Sequence, residues 1–216
     1  MFYKPIAALA ILCLLWAGLS CAQHSQPRKH VFYLHGMIVQ VQGINAVSET
    51  FGPYRYTDIV DSLKAAGYEV HSEVRPPDTQ FEAYARKISG QIDELIGKGV
   101  KAGDITVIGA SAGAQMAMAV SDQNPNPVNY VLLAANSDRL ESTYSWKLHG
   151  RILGIYERSD QIAGKNYDHW KDRSADALEF VQLEIHTGLD HGFLYQPLRE
   201  WLEPARLWMD GKLPDP

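Results

Sequence analysis

Asp104-Ile105-Thr106-Val107-Ile108-Gly109-Ala110-Ser111-Ala112-Gly113-Ala114-Gln115-Met116-Ala117-Met118-Ala119-Val120 is the stretch whose reading decides the fold. It opens with a short apolar, β-branched run, the composition of a buried strand. It closes in residues that favour helix. Ser111 lies between them, with Gly109 and Gly113 two positions to either side. Strand, sharp turn and helix with a serine at the turn make a nucleophile elbow. The glycines answer a steric demand, because side chains there would strike the neighbouring strand and helix. The turn lifts the serine hydroxyl above the sheet, and the helix aims its unpaired N–H groups at any anion formed there. The competing reading is a small-residue turn that merely lets a helix pack on a strand. Residues further along the chain favour the elbow.

Outward from this stretch, strand and helix alternate about six times. His30 to Leu34 reads as a buried strand ending at His35-Gly36, and a polar, glycine-containing stretch then runs to Pro53. Tyr54 to Ala66 has helical spacing and stops at Gly67, followed by an alternating strand from Tyr68 to Val74. Asp78-Thr79 can cap a long helix to about Gly97. Beyond the elbow, strands are expected at 130–134, 151–156 and 180–186, a helix at 168–177 and a closing amphipathic helix at 197–210. Continuous apolar strands separated by helices imply a mostly parallel sheet covered on both faces, a doubly covered α/β class. Functional sites in such sheets lie at the carboxyl ends of the strands, where Ser111 falls.

The chain's 216 residues suit one domain, and a net charge of -5 without a Lys/Arg cluster argues against nucleic acid as a partner. Residues 1–22 are different material: Lys4, an apolar run from Ile6 to Leu19, then Ser20-Cys21-Ala22. This reads as a secretory signal peptide, with 23–29 a flexible lead and 30–216 the folded domain. The apolar run is short for a membrane span, so stable insertion of the mature protein is not expected. Both cysteines, Cys13 and Cys21, fall in this segment. The expected location is periplasmic or secreted. Leu19-Ser20-Cys21 also resembles the end of a lipoprotein signal, although Gly18 stands where leucine is usual, so a lipid anchor at Cys21 is the alternative.

A serine hydroxyl needs a base in reach, and the base needs an orienting group. His191, within Thr187-Gly188-Leu189-Asp190-His191-Gly192-Phe193, is the candidate base; His35, His149, His169 and His186 have other plausible roles. Asp160, just past the strand at 151–156, is the candidate acid. Glu157 is its main rival, with Asp190 and Asp168 behind. No H-x-x-x-H or C-x-x-C spacing occurs, so neither metal nor other cofactor is expected.

Serine, acid and histidine in that order, after the third, fifth and sixth strands, resemble the α/β-hydrolase family without its first two strands. The resemblance spans roughly residues 30–210. It is nearest to small single-domain members of unassigned substrate with a strand–His-Gly segment, a G-A-S elbow and a Thr-Gly-Leu-x-His-Gly-Phe ending. Such proteins often carry arginine directly after His-Gly, where this chain has Met37. The resemblance implies a minimal α/β-hydrolase fold; family members often insert a lid between the strands carrying Ala134 and Arg151, but the 16 residues between them here leave room for little or no lid. It also implies an oxyanion hole from the backbone N–H groups of Met37 and Ala112, and a structural role for His35. Tyr144 and Trp146, between the strands at 130–134 and 151–156, either wall a substrate pocket or pack in the core. The leading functional expectation is a carboxylic-ester hydrolase acting on a small molecule. An amidase or peptidase using the same three residues, or a non-catalytic envelope binding protein on this scaffold, stands beside it.

Overall fold

The computed structural model describes Met1 and residues 28–214. The rest of the expected signal segment, with Cys13 and Cys21, and most of the expected lead lie outside the described residues. Strand β1 (His30–Leu34) is buried at every position. Val31 and Tyr33 turn to one layer of side chains, and Phe32 and Leu34 to the other. A strand apolar on both sides belongs inside a sheet covered on both faces. There follow α1 (Met37–Gln42), a small antiparallel hairpin of β2 (Val47–Ser48) and β3 (Gly52–Pro53), α2 (Tyr56–Ala65), β4 (Glu69–His71) and α3 (Phe81–Gly97). The elbow joins β5 (Ile105–Ala110) to α4 (Ala112–Gln123). Then come β6 (Asn129–Leu133), α5 (Asp138–Thr143), β7 (Gly150–Glu157), α6 (Asp168–Arg173), β8 (Ala177–Ile185) and α7 (Arg199–Met209).

The main sheet runs β4-β1-β5-β6-β7-β8, and every neighbouring pair is parallel. On one face Ile59 and Leu63 of α2 and Trp201 and Trp208 of α7 pack on Val31, Ile108, Val131 and Leu153. On the other, Ile88 of α3, Met116 and Met118 of α4 and Trp170 of α6 pack on Phe32, Val107, Tyr130 and Ile152. Each large side chain so buried contributes about 1.5–3 kcal/mol relative to exposure. Only α5 and short loops connect β6 to β7, so no large cap is inserted there. Among the described residues no helix is long and apolar enough to cross a membrane.

The elbow is packed as tightly as its glycines suggest. A Cβ on Gly113 would lie 1.9 Å from the Leu34 carbonyl oxygen, and one on Gly109 would lie 2.4 Å from Ala114 Cα. Helix α4 can cross the ends of β1 and β5 this closely only because both positions lack side chains.

Several expected boundaries are corrected. The stretch from Met37 to Pro53 holds α1 and the hairpin rather than a plain loop. The strand expected to reach Val74 ends at His71, because the Ser72 hydroxyl takes the Tyr33 carbonyl at 2.7 Å in place of a further backbone donor. The helix expected to reach Ala177 ends at Arg173. Ser174 caps it, and its hydroxyl accepts the Leu148 N–H at 2.9 Å, while Ala177 already opens β8.

Candidate functional site

Ser111 follows β5, Asp160 follows β7 and His191 follows β8, all beyond the carboxyl ends of their strands. The structure brings the three into one hydrogen-bonded chain. His191 Nε2 lies 2.9 Å from Ser111 Oγ, and His191 Nδ1 lies 2.7 Å from Asp160 Oδ2. The carboxylate can only accept here, so Nδ1 carries the proton and Nε2 offers its lone pair to the serine hydroxyl. Ser111 sits at φ 53°, ψ -120°, a backbone conformation costly for a residue with a side chain. The turn that imposes it aims Oγ at the imidazole.

Asp160 is held from behind. Its Oδ1 accepts the N–H groups of Ile162 at 2.7 Å and Ala163 at 3.0 Å. Burial raises its pKa, but the hydrogen bond and charge of His191, with the Ala163 and Ile162 N–H groups, outweigh this and hold the carboxyl below its usual range. The side chains of Asp160 and His191 are almost wholly shielded from solvent.

Glu157, the rival acid, has a different position. It is buried, and its carboxylate hydrogen-bonds to Ser159 and Thr187 rather than to the imidazole. Oε2 accepts the N–H and hydroxyl of Thr187 at 2.7 and 2.8 Å, and Oε1 accepts the Ser159 hydroxyl at 2.9 Å. It thereby ties the loop carrying Asp160 to the loop carrying His191. Burial pushes its pKa up, but the Thr187 and Ser159 donors bring it below the ordinary value. Two further bonds join the same loops: Gln161 N–H donates to Asp190 Oδ1 at 2.9 Å, and Asp190 N–H to Ser159 Oγ at 3.1 Å. Asp168, on α6, accepts a hydrogen bond from Gln182 Nε2 of β8, and Asp190 is spent on backbone N–H groups, so neither reaches the ring.

Met37 and Ala112 are the first residues of α1 and α4, where a helix leaves its N–H groups without internal partners. The two helix starts abut: a Cβ on Gly36 would lie 3.6 Å from Ser111 Cβ. His35 fastens the first of them. Its Nε2 accepts the Arg75 N–H at 2.9 Å, which leaves the proton on Nδ1 to donate to Gly36 O at 2.8 Å. Burial, then the Arg75 charge, lowers the His35 pKa to about 4, so the ring is neutral. Arg75, itself fully buried, donates from Nη2 to His35 O and from Nε to Gln40 Oε1. Nothing in Glu73-Val74-Arg75-Pro76 signals a buried arginine, so the sequence reading missed this buttress.

A cavity of about 380 Å³ opens at Ser111 and His191, walled by Met37, Ile38, Val41, Tyr54, Ile162, Leu194 and Tyr195. Tyr144 and Trp146, expected as possible walls, are not among these residues. Their rings stack at 4.0 Å and pack with Phe81 and Trp170 in the layer between sheet and helices. Aromatic rings that can bury against one another there have no reason to remain at an open mouth. The walls come instead from α1, which sequence periodicity did not reveal, and from loops placed only by tertiary packing.

No protein-family model matches the chain, and no curated protein does. Solved structures do. A protein of unknown function from Agrobacterium tumefaciens, proposed as an α/β hydrolase, is 13% identical with a TM-score of 0.61 over 88% of this chain and 89% of that one. A CIB-like hydrolase predicted for Thermoplasma acidophilum is 16% identical, TM-score 0.53, over 87% of each chain. Esterase PE8 is 15% identical, TM-score 0.50, over 86% of this chain and 93% of that one. With the parallel sheet and its elbow between β5 and α4, these likenesses identify the chain as a protein of the α/β-hydrolase fold.

Proposed function

We propose that the protein is a serine hydrolase cleaving carboxylic esters of small molecules through Ser111, His191 and Asp160. The observation that carries this is the continuous hydrogen-bonded path from Ser111 Oγ through His191 to Asp160. In the proposed reaction Ser111 Oγ attacks the ester carbonyl as its proton passes to His191 Nε2. Asp160 keeps the proton on Nδ1 and stabilises the imidazolium. The N–H groups of Met37 and Ala112 receive the oxyanion; one such donor is worth about 3–4 kcal/mol in comparable enzymes. His191 then protonates the departing alcohol, and water, deprotonated by the same ring, releases the acid and regenerates Ser111.

The wall of Met37, Ile38, Val41 and Ile162 supports an apolar acyl group, because it offers carbon surface and no side-chain charge. The name of esterase PE8 agrees with ester chemistry on this fold. The test is turnover of p-nitrophenyl esters of increasing acyl length, with fluorophosphonate labelling. Wild type should turn over and label, and Ser111→Ala should do neither while melting normally. Equal turnover by Ser111→Ala would remove the basis of the reading. We further propose export from the cell, on the strength of residues 1–22. The intact mass of exported protein separates a start near Gln23 from a diacylglyceryl-modified Cys21.

A further inference from the structure

The opposite end of the sheet carries a cluster that ester hydrolysis does not use. β1 and β4 pair with His30 opposite Glu69 and Phe32 opposite His71. Residues two apart on a strand share a face, so all four side chains project from the same side of this edge. His30 opens β1, whereas Ser111 lies past Leu34 at the strand's other end.

His30 Nδ1 lies 3.0 Å from His71 Nε2, with ring centroids 5.3 Å apart and planes 16° from parallel. Together these values describe two nearly coplanar rings meeting nitrogen to nitrogen, rather than stacked faces. Two facing lone pairs repel, so something must lie between the nitrogens: the N–H hydrogen of one neutral ring, donated to the other, or a metal ion. Glu69 brings a carboxylate oxygen within 4.8 Å of a ring nitrogen of each histidine. Two imidazoles and one carboxylate favour a divalent ion of intermediate softness.

We propose that His30, Glu69 and His71 form a binding site for a divalent transition-metal ion, with Zn²⁺ the fitting occupant, separate from the Ser111 site. Two His and one carboxylate form an open three-ligand zinc set, with water in the fourth position. Zinc–nitrogen bonds of about 2.0–2.1 Å at a tetrahedral angle put the two nitrogens about 3.3 Å apart. The observed separation is 3.0 Å, and because the rings meet head-on each must swing by about 35° to aim its lone pair at a tetrahedral ion. The His71 ring already rests on Phe32, centroids 4.7 Å apart. Glu69 is exposed and can swing inward, and the same exposure leaves an entry path. Its present partner, Arg28 at 3.8 Å, is a solvent-facing pair of little energetic weight. The ion would clamp β4, a three-residue edge strand paired only with β1, and so stabilise the folded chain.

The experiment is calorimetric titration of chelator-stripped protein with Zn²⁺, for wild type, Glu69→Gln and His71→Asn, with thermal melts of each. Wild type should bind one Zn²⁺ per chain and melt higher with the metal. Each variant should bind at least about tenfold more weakly. Glu69 is exposed, so its variant folds even if the histidine variant does not. Equal affinity in wild type and Glu69→Gln would move the ion to another surface group and overturn the proposal. Absence of one-to-one binding by wild type would overturn it too, leaving the His30–His71 pair as a hydrogen-bonded contact.

Discussion

Replacing Asp160 by asparagine changes one oxygen into an NH₂ group and little else, yet the structure predicts which way the amide must face. Oδ1 receives two backbone N–H groups, from Ile162 and Ala163. An NH₂ group there would set donor against donor and strand both N–H groups. The amide oxygen therefore keeps the Oδ1 position, and the NH₂ turns to His191 Nδ1. That nitrogen must then accept, which drives the ring proton to Nε2. The N–H at Nε2 points at Ser111 Oγ, so the ring cannot take the serine proton. In the best-studied serine protease the same substitution costs about 10⁴ in kcat, equivalent to about 5 kcal/mol of barrier. For Asp160→Asn we expect a loss of at least a hundredfold in kcat, about 2.7 kcal/mol, with KM little changed. Stopped-time assays of p-nitrophenyl acetate near pH 7, with circular-dichroism melts to verify folding, measure it. A folded variant losing less than tenfold would refute Asp160 as the orienting acid.

Other expectations follow from neighbouring groups. Glu157→Gln places an NH₂ among donors from Ser159 and Thr187, so stability should fall by about 1–3 kcal/mol in urea titrations while kcat falls less than tenfold. Because the Glu157 pKa is depressed in the fold, its contribution is present at neutral pH and lost as pH falls through and below the ordinary carboxylate range. His35, lowered from 6.5 to about 4, binds a proton more readily in the unfolded chain. Its contribution, about 3 kcal/mol at most, is therefore complete above pH 6.5 and disappears as pH drops to 4. Urea titrations of His35→Gln across that window should show a flatter dependence than wild type. Trp146→Ala should cost about 3–5 kcal/mol in chemical denaturation yet leave KM for short esters unchanged, since the ring packs with Trp170 and not at Ser111.

What the sequence revealed and what it hid follow from the range of the forces involved. The elbow was legible because its constraints are local: β-branched residues, two glycines required by close approach, and helix formers within seventeen positions. Strands β1, β5, β6 and β7 were legible for the same reason, each a compact apolar run, whereas β4 and β8 showed only as alternation. The order Ser111, Asp160, His191 could be read because each follows a strand, although their meeting depends on the sheet bringing distant segments together. Helix α1 was hidden because Met37-Ile38-Val39-Gln40-Val41-Gln42 is short and β-branched, and it is helical through its place against the sheet rather than propensity. Tyr144 and Trp146 were ambiguous because aromatic character alone does not tell a pocket wall from a core stack. The His30–Glu69–His71 group was invisible to any spacing rule, since its members meet across a parallel pairing of distant segments.

The Glu157 brace sets a rule for how this region can change. Its carboxylate is filled by donors from both the 158–164 loop and the 186–190 loop, so neither segment is an independent module. An exchange of the first loop that discards the Ser159 hydroxyl would unsettle the second, and with it the reach of His191 toward Ser111. Divergence here should proceed by paired substitution, with position 159 changing in step with 187. Successful loop grafts should be those that transfer residues 157 to 191 as one block.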